Sequence, residues 1–184
     1  GGAIYWQSND GVVNNTNFSN NYADSWTEGE GHGGAIYWDG DNALVNNSIF
    51  SGNTVYNEID GYADGGAIRF MGSDATVNNT KFEYNQANTH GGAISWRGDD
   101  GTLDNSEFYK NTAYTIGGAV FWNGRNAVIN NSNFTNNTAD YFTGGGIAFE
   151  TNGIINNSNF INNTAHKGGG VYWNFNGDGV INNS

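Results

Sequence analysis

The chain has 184 residues, of which 36% are hydrophobic and 15% aromatic, with 29 glycines, no proline and no cysteine. The absence of cysteine excludes disulfide frameworks and thiolate metal sites. The net charge of −12, all of it carried by residues 1–107, argues against nucleic acid and anionic membranes as partners, because both carry negative charge themselves.

Three short motifs repeat in the same order along the whole chain, with a period of 24 to 32 residues. The first is Gly-Gly-Ala/Gly-Ile/Val, which begins at Gly1, Gly33, Gly65, Gly91, Gly117, Gly144 and Gly168. The second is Asn-Asn-Ser/Thr, which begins at Asn14, Asn46, Asn78, Asp104 (the one Asp variant), Asn130, Asn156 and Asn182. The third is Phe-x-x-Asn, which begins at Phe18, Phe50, Phe82, Phe108, Phe134 and Phe160. Nearly all of the length variation lies between the third motif and the next Gly-Gly.

The first motif opens a predicted strand in which large apolar residues alternate with variable ones. Its fourth position is Ile or Val and its sixth is Trp or Phe, whereas the fifth is variable. Side chains alternate between the two faces of a strand, so we expect the fourth and sixth positions inside and the fifth in solvent.

The second and third motifs predict two more strands. An aliphatic residue stands before each Asn-Asn, and we expect it inside together with the Asn two positions later and the Phe of the third motif. The predicted inward asparagines are Asn15, Asn47, Asn79, Asn105, Asn131, Asn157 and Asn183. Like residues about 4.8 Å apart in successive coils would hydrogen-bond as an asparagine ladder.

Three short strands in each repeat predict an all-β fold, a right-handed parallel β-helix (β-solenoid) of about seven coils. No run of residues is long and apolar enough for a transmembrane helix. We expect residues 1–184 to form a single solenoid segment that is cut within a repeat at both ends. Its partners would then include further solenoid repeats or other copies of the chain.

The alternation of Gly-Gly-Ala-Ile with Phe-x-x-Asn resembles the repeat of chlamydial polymorphic outer-membrane proteins. It is also similar to the adhesin-like surface proteins of methanogenic archaea, which share the Asn-Asn-Ser/Thr blocks. The resemblance covers the whole chain and implies a β-helix displayed outside the cell, with adhesion as its role. Because the chain has no cysteine and no outer-membrane barrel, the archaeal type is the closer of the two.

Carboxylates in the turns and loops are candidates for catalytic or metal sites, or are simply turn residues and solvated loop residues. Carboxylates such as Asp74 and Asp100 could serve polysaccharide cleavage, but they alternate with asparagine as turn residues do, and no basic cluster accompanies them. We therefore expect no enzyme activity and no cofactor. Calcium is the alternative for the acidic loop residues Asp24, Glu28, Glu30, Glu58, Asp60 and Asp64.

Aromatic residues in the variable loops are the candidate contacts with cell-surface glycans or proteins. They are Tyr22, Trp26, Tyr56, Tyr62, Tyr141 and Phe142, with Tyr114 in a loop of the same kind. Candidate N-glycosylation sites, from the Asn-x-Ser/Thr pattern, are Asn14, Asn46, Asn78, Asn130 and Asn156. The sequence thus predicts an extracellular, adhesin-like or fibre-shaft protein of a prokaryotic surface, with a polysaccharide-binding or polysaccharide-cleaving β-helix as the alternative.

Overall fold

The computed structural model describes residues 1–25, 31–57, 61–174 and 177–184. Within these ranges the chain winds into parallel strands that stack coil upon coil, and each strand pairs with its equivalents in the neighbouring coils. The structure has four strands in most coils rather than the predicted three. No helix in the described part of the chain is long and apolar enough to cross a membrane.

Four stacked sheets form the walls of the solenoid. Sheet 1 contains Ile4–Trp6, Ile36–Trp38, Ile68–Phe70, Ile94–Trp96, Val120–Trp122, Ile147–Phe149 and Val171–Trp173. Sheet 2 contains Val12–Asn14, Leu44–Asn46, Thr76–Asn78, Thr102–Asp104, Ala127–Asn130, Gly153–Asn156 and Gly179–Asn182. Sheet 3 contains Asn17–Ser19, Ile49–Ser51, Lys81–Glu83, Glu107–Tyr109, Asn133–Thr135 and Asn159–Ile161. Sheet 4, which the sequence pattern did not separate from the loops, contains Tyr22–Ser25, Thr54–Asn57, Gln86–Ala87, Thr112–Ala113 and Thr138–Ala139.

The core consists of the predicted apolar columns. Aliphatic and aromatic side chains from sheets 1, 2 and 3 are completely buried in the middle coils, as Ile68, Val77 and Phe82 illustrate. The phenylalanines of sheet 3 stack face to face with ring centroids 4.7 to 5.0 Å apart, which is the spacing between neighbouring strands. Each coil therefore buries its apolar residues against identical ones above and below.

The asparagine ladder exists, but a different column from the predicted one forms it. The backbone N–H and the side-chain amide of Asn53 both donate to Oδ1 of Asn85, at 3.0 and 2.9 Å. Nδ2 of Asn85 donates in turn to Oδ1 of Asn111 and to the carbonyl of Phe50 in the preceding coil. The members of this buried ladder are the asparagines that close Phe-x-x-Asn, namely Asn21, Asn53, Asn85, Asn111, Asn137 and Asn163.

The column predicted to point inward lies at a corner of the coil instead. Its members have positive φ angles between 44° and 52° and are exposed, as Asn47 and Asn105 are. A residue with a positive φ angle changes the direction of the chain. The alternation of inward and outward side chains within a strand therefore does not continue past that residue. Asparagine is favoured at these corners because it tolerates this conformation.

The Ser or Thr after each Asn-Asn forms a second internal column. The hydroxyl of Ser106 donates to the carbonyl of Asp104 and accepts the backbone N–H of Thr80 from the preceding coil. Ser48, Ser132 and Ser158 are equally buried and bonded in the same way. The Asn-Asn-Ser/Thr block thus combines an outward Asn, a corner Asn and an inward hydroxyl.

Replacing Asn111 by Ala should lower the free energy of unfolding by about 3 kcal/mol, since it removes the buried acceptor of the Asn85 backbone N–H and side-chain amide and the donor to Asn137 and to the carbonyl of Phe82. The matched control is Asn105→Gly at the exposed corner, where glycine accepts the positive φ angle. Urea denaturation measures both. Equal losses in the two variants would contradict the assignment of the ladder.

A stabilising substitution is expected at the corner that precedes the ladder. Lys110 has a φ of 51°, whereas asparagine takes the same conformation at the equivalent Asn136. Lys110→Asn should therefore stabilise the chain by about 1 kcal/mol, because it relieves left-handed strain. Glu107→Asn, in the adjacent strand, should not stabilise it. A lower midpoint of unfolding for Lys110→Asn would refute the expectation.

Candidate functional site

The outer face of sheet 1 is covered by an additional column of residues, which we call the outer stack. It consists of the residues that precede each Gly-Gly, namely His32, Asp64, His90, Ile116, Thr143 and Lys167, paired in register. The prediction that the fifth position of the first motif faces solvent is therefore wrong in the middle coils. Arg69, Ser95, Phe121 and Ala148 are buried there because the outer stack lies over them.

Asp64 is the centre of a buried charge cluster in the outer stack. One carboxylate oxygen, Oδ1, accepts the hydroxyl of Thr89 at 2.7 Å and pairs with Nδ1 of His90 at 2.8 Å. The other, Oδ2, accepts Arg97 at 2.8 Å and Arg69 at 3.2 Å. Arg69 also donates to Nδ1 of His32. The carboxylate has no solvent exposure, so these donors replace its hydration.

The environment of Asp64 keeps it ionised. Burial by itself favours the neutral acid, but the hydrogen bond and charge of His90, the charge of Arg69 and the hydroxyl of Thr89 outweigh burial and hold the pKa of Asp64 well below its ordinary value. The cluster is therefore a fixed ion network at neutral pH.

A serine, Ser95, stands beside Arg69 in sheet 1, but it does not form a catalytic triad with His90 and Asp64. Ser95 is completely buried, and its hydroxyl has no hydrogen-bond partner within the described residues. A nucleophile needs a hydrogen bond to its base and access to substrate, and Ser95 has neither. The His90 ring instead stacks on Phe121 at 4.8 Å and on Tyr62 at 5.5 Å.

Beside this cluster, an open groove of about 440 Å³ runs between sheet 4 and the outer stack, and we call it the tyrosine groove. It is lined by Tyr56, Asn57, Gly61, Tyr62, Asn88, Thr89, Tyr114 and Thr115. The three tyrosines are 40% to 52% exposed. Tyr56 and Tyr62 belong to one variable segment, Tyr114 belongs to the segment two coils later, and Asn88 comes from the coil between them. The structure thus brings the predicted contacts Tyr56 and Tyr62 together, with Tyr114 beside them.

The aromatic surface continues beyond the groove into the next coil. The ring of Tyr141 lies 4.6 Å from that of Tyr114, and Phe142 beside it is as exposed as Tyr141. The hydrogen bond between the two tyrosines, with smaller effects of burial and of Asp140, raises the pKa of Tyr114 above its ordinary value. The Tyr114 hydroxyl therefore stays neutral near pH 7.

The other two predicted contacts do not join this groove. Tyr22 is exposed and lines a separate cavity of about 520 Å³ with Tyr5, Tyr37 and His32. Trp26 lies outside the described residues.

The acidic turn residues hold the backbone of neighbouring coils. Oδ1 of Asp99 accepts the backbone N–H of Arg125 at 2.7 Å, and Oδ1 of Asp41 accepts that of Ser73 at 2.9 Å. Asp74 and Asp100 have positive φ angles of 58°. These features are those of turn residues, as the sequence pattern indicated.

The predicted calcium ligands are divided between the described and undescribed parts of the chain. Glu28, Glu30, Glu58 and Asp60 lie outside the described residues, and Asp64 is occupied by its four donors. Among the described residues, no group of three His, Cys, Asp or Glu side chains could hold a metal ion. Calcium binding stays a prediction.

The candidate glycosylation sites lie on an outward amide column. Nδ2 of Asn46 donates to Asn14, and Nδ2 of Asn156 donates to Asn130. The hydroxyls of the corresponding Ser48, Thr80, Ser132 and Ser158 are buried, whereas Thr16 is exposed. Asn14 therefore has the most accessible of the five patterns, and Asn46, Asn78, Asn130 and Asn156 are all only half-buried. Modification at all five stays a prediction.

Comparison with known families agrees with this geometry. The family model described as a right-handed β-helix region matches residues 1–184. The chain belongs to the right-handed β-helix family. No curated protein and no solved structure matches it. β-Helix proteins include polysaccharide lyases and hydrolases as well as proteins without catalytic activity, so the fold leaves the choice of function to the site.

The Asp64 cluster of this β-helix was not predicted from the sequence. His32 and His90 come from non-adjacent coils, and Asp64 lies between them in the outer stack. The sequence does contain a signal for this cluster. The position immediately before Gly-Gly is equivalent in every coil, and three successive coils have His, Asp and His at this position.

The ion network predicts a specific pH dependence of stability. Because the folded-state pKa of Asp64 is depressed, its stabilisation is complete above about pH 4, the unfolded carboxyl value, and is lost as pH falls through the lower folded value. Asp64→Asn should cost about 3–5 kcal/mol at pH 7, because Arg69 and Arg97 lose their counter-ion. Urea denaturation at pH 7 and in strong acid should show this difference shrinking in acid, while the exposed turn variant Asp74→Asn shows little at either pH. A difference independent of pH would refute the network.

Proposed function

We propose that this β-helix is an extracellular protein of a prokaryotic cell surface, adhesin-like or part of a fibre shaft, that contacts partners through the variable loops at one edge. The tyrosine groove carries the proposal. Exposed aromatic rings from several coils are concentrated at the edge where coil length varies, on a wall otherwise built from repeated strands. Exposed aromatic clusters of this kind mark interaction sites.

The rest of the chain suits a rigid support for such a site. The asparagine ladder, the hydroxyl column and the phenylalanine stack bond every coil to the next. The similarity of the Gly-Gly-Ala-Ile and Phe-x-x-Asn repeats to chlamydial polymorphic outer-membrane proteins and archaeal adhesin-like proteins supports a place on the cell surface. Its partners would be surface glycans or proteins, further solenoid repeats or other copies of itself.

The alternative is a polysaccharide-cleaving β-helix, and one observation favours it. His90, oriented by Asp64 at 2.8 Å, stacks on Tyr62 of the groove and could act as a general base. Against it, both carboxylate oxygens of Asp64 are taken up by other donors. Reducing-end release from any polysaccharide that the chain binds, abolished by His90→Gln, would establish cleavage.

The test of the binding function combines an array of surface glycans with electron microscopy. We expect selective array binding that falls at least about fivefold in the double variant Tyr62→Ala/Tyr114→Ala, since each aromatic contact contributes about 0.5–1.5 kcal/mol. The control is Tyr84→Asn, which removes a tyrosine of similar exposure from the corner after the sheet 3 strand Lys81–Glu83.

A fibre-shaft role predicts a different readout from the same variants. The wild-type chain would form filaments in which the groove tyrosines are protected from chemical nitration, and the double variant would not. Absence of both glycan binding and filaments, or effects equal to those of Tyr84→Asn, would overturn the proposal.

A further inference from the structure

No positively charged side chain is available in the tyrosine groove. All six Lys and Arg residues of the chain lie in its described part, and none of them lines the groove. Arg69 and Arg97, on the outer face of sheet 1, both donate to Asp64. Lys81 pairs with Glu83 on sheet 3 at 2.7 Å. A carboxylate or sulfate on a ligand would find no counter-ion there.

The surrounding charge is negative and would repel an anionic ligand. The net charge is −12, with all of the excess acid in residues 1–107, and the groove takes most of its lining from this part of the chain. Negative charge on the protein repels an anionic ligand, and added salt weakens this repulsion.

The lining supplies the contacts that an uncharged sugar uses. Three tyrosine rings offer faces on which the C–H side of a sugar ring can pack, and Asn88 places a side-chain amide between them. The hydroxyls of Thr89 and Thr115 are already held, Thr89 by Asp64 and Thr115 by the carbonyl of Thr89. The walls of the groove are therefore fixed before a ligand arrives.

The aromatic residues follow the direction in which the coils stack. Tyr62, Asn88, Tyr114 and Tyr141 come from the segments before four successive Gly-Gly motifs, so Asn88 occupies the coil between Tyr62 and Tyr114. The Tyr114 and Tyr141 rings are one coil spacing apart at 4.6 Å. Contacts repeated along this direction suit a ligand with several units in a row rather than a single sugar.

We propose that the tyrosine groove binds a linear, uncharged oligosaccharide that lies along the coil-stacking direction, with Tyr62 and Tyr114 in the groove and Tyr141 in an outer subsite. This inference rests on the proposed binding function and names the chemical class of its ligand.

The experiment measures dissociation constants by titration calorimetry for two matched series of probes, from monosaccharide to hexasaccharide. One series contains neutral glucose and N-acetylglucosamine oligomers, and the other contains uronic acid oligomers. We expect the neutral series to bind, with affinity rising with length and unchanged between low and high salt.

The variants separate the subsites. Tyr62→Ala should weaken every neutral oligomer that binds by roughly tenfold, whereas Tyr141→Ala should weaken only the longer ones. Tyr84→Asn should leave all affinities unchanged, and circular dichroism should show all three variants folded.

The failures of the two proposals are distinguishable. Preference for the uronic acid series with dependence on Tyr62, or affinity independent of length, would overturn the uncharged-oligosaccharide inference and leave the binding function standing. Absence of binding by both series would also overturn the inference, and the filament readout would then decide the proposed function. Binding that none of the tyrosine variants changes would refute the groove as a site in both proposals.

Discussion

Every feature of this solenoid depends on the stacking of like residues directly over one another at the spacing of β-strands. Apolar columns satisfy this constraint easily, as the phenylalanine stack does. A buried polar column satisfies it only if its side chain both donates and accepts along the axis, which the carboxamide of asparagine and the hydroxyl of serine can do. A carboxylate cannot, and Asp64 accordingly needs two arginines, a histidine and a threonine around it.

Much of the fold could be predicted from the sequence because alternation within a strand is reliable. It placed the columns of Ile68, Val77 and Phe82 in the core. Prediction failed where left-handed residues turn the chain, since two asparagine columns have the same composition and only the corner geometry tells them apart. Asn105 has a φ of 44° and is exposed, whereas Asn111 is buried.

The residue types of the candidate site could be predicted from the sequence, but their spatial arrangement could not. Loop tyrosines were recognisable as candidate contacts, yet the meeting of Tyr56, Tyr62 and Tyr114 depends on how loops of different length return to the next Gly-Gly. The outer stack could not be predicted for the same reason. It covers the fifth position of sheet 1, a position at which a two-residue period alone predicts exposure.

The buried amide ladder also has a direction. Each Nδ2 donates toward the following coil, at separations of 32 residues from Asn53 to Asn85 and 26 from Asn85 to Asn111, with the same 2.9 Å bond. The dipoles of these amides therefore add along the rod, and its two faces differ as donor and acceptor. The ladder does not depend on the number of residues between its successive asparagines. Whole coils can therefore be inserted or removed during evolution without disturbing their neighbours. Because the two end faces differ, any association of coil upon coil is head to tail.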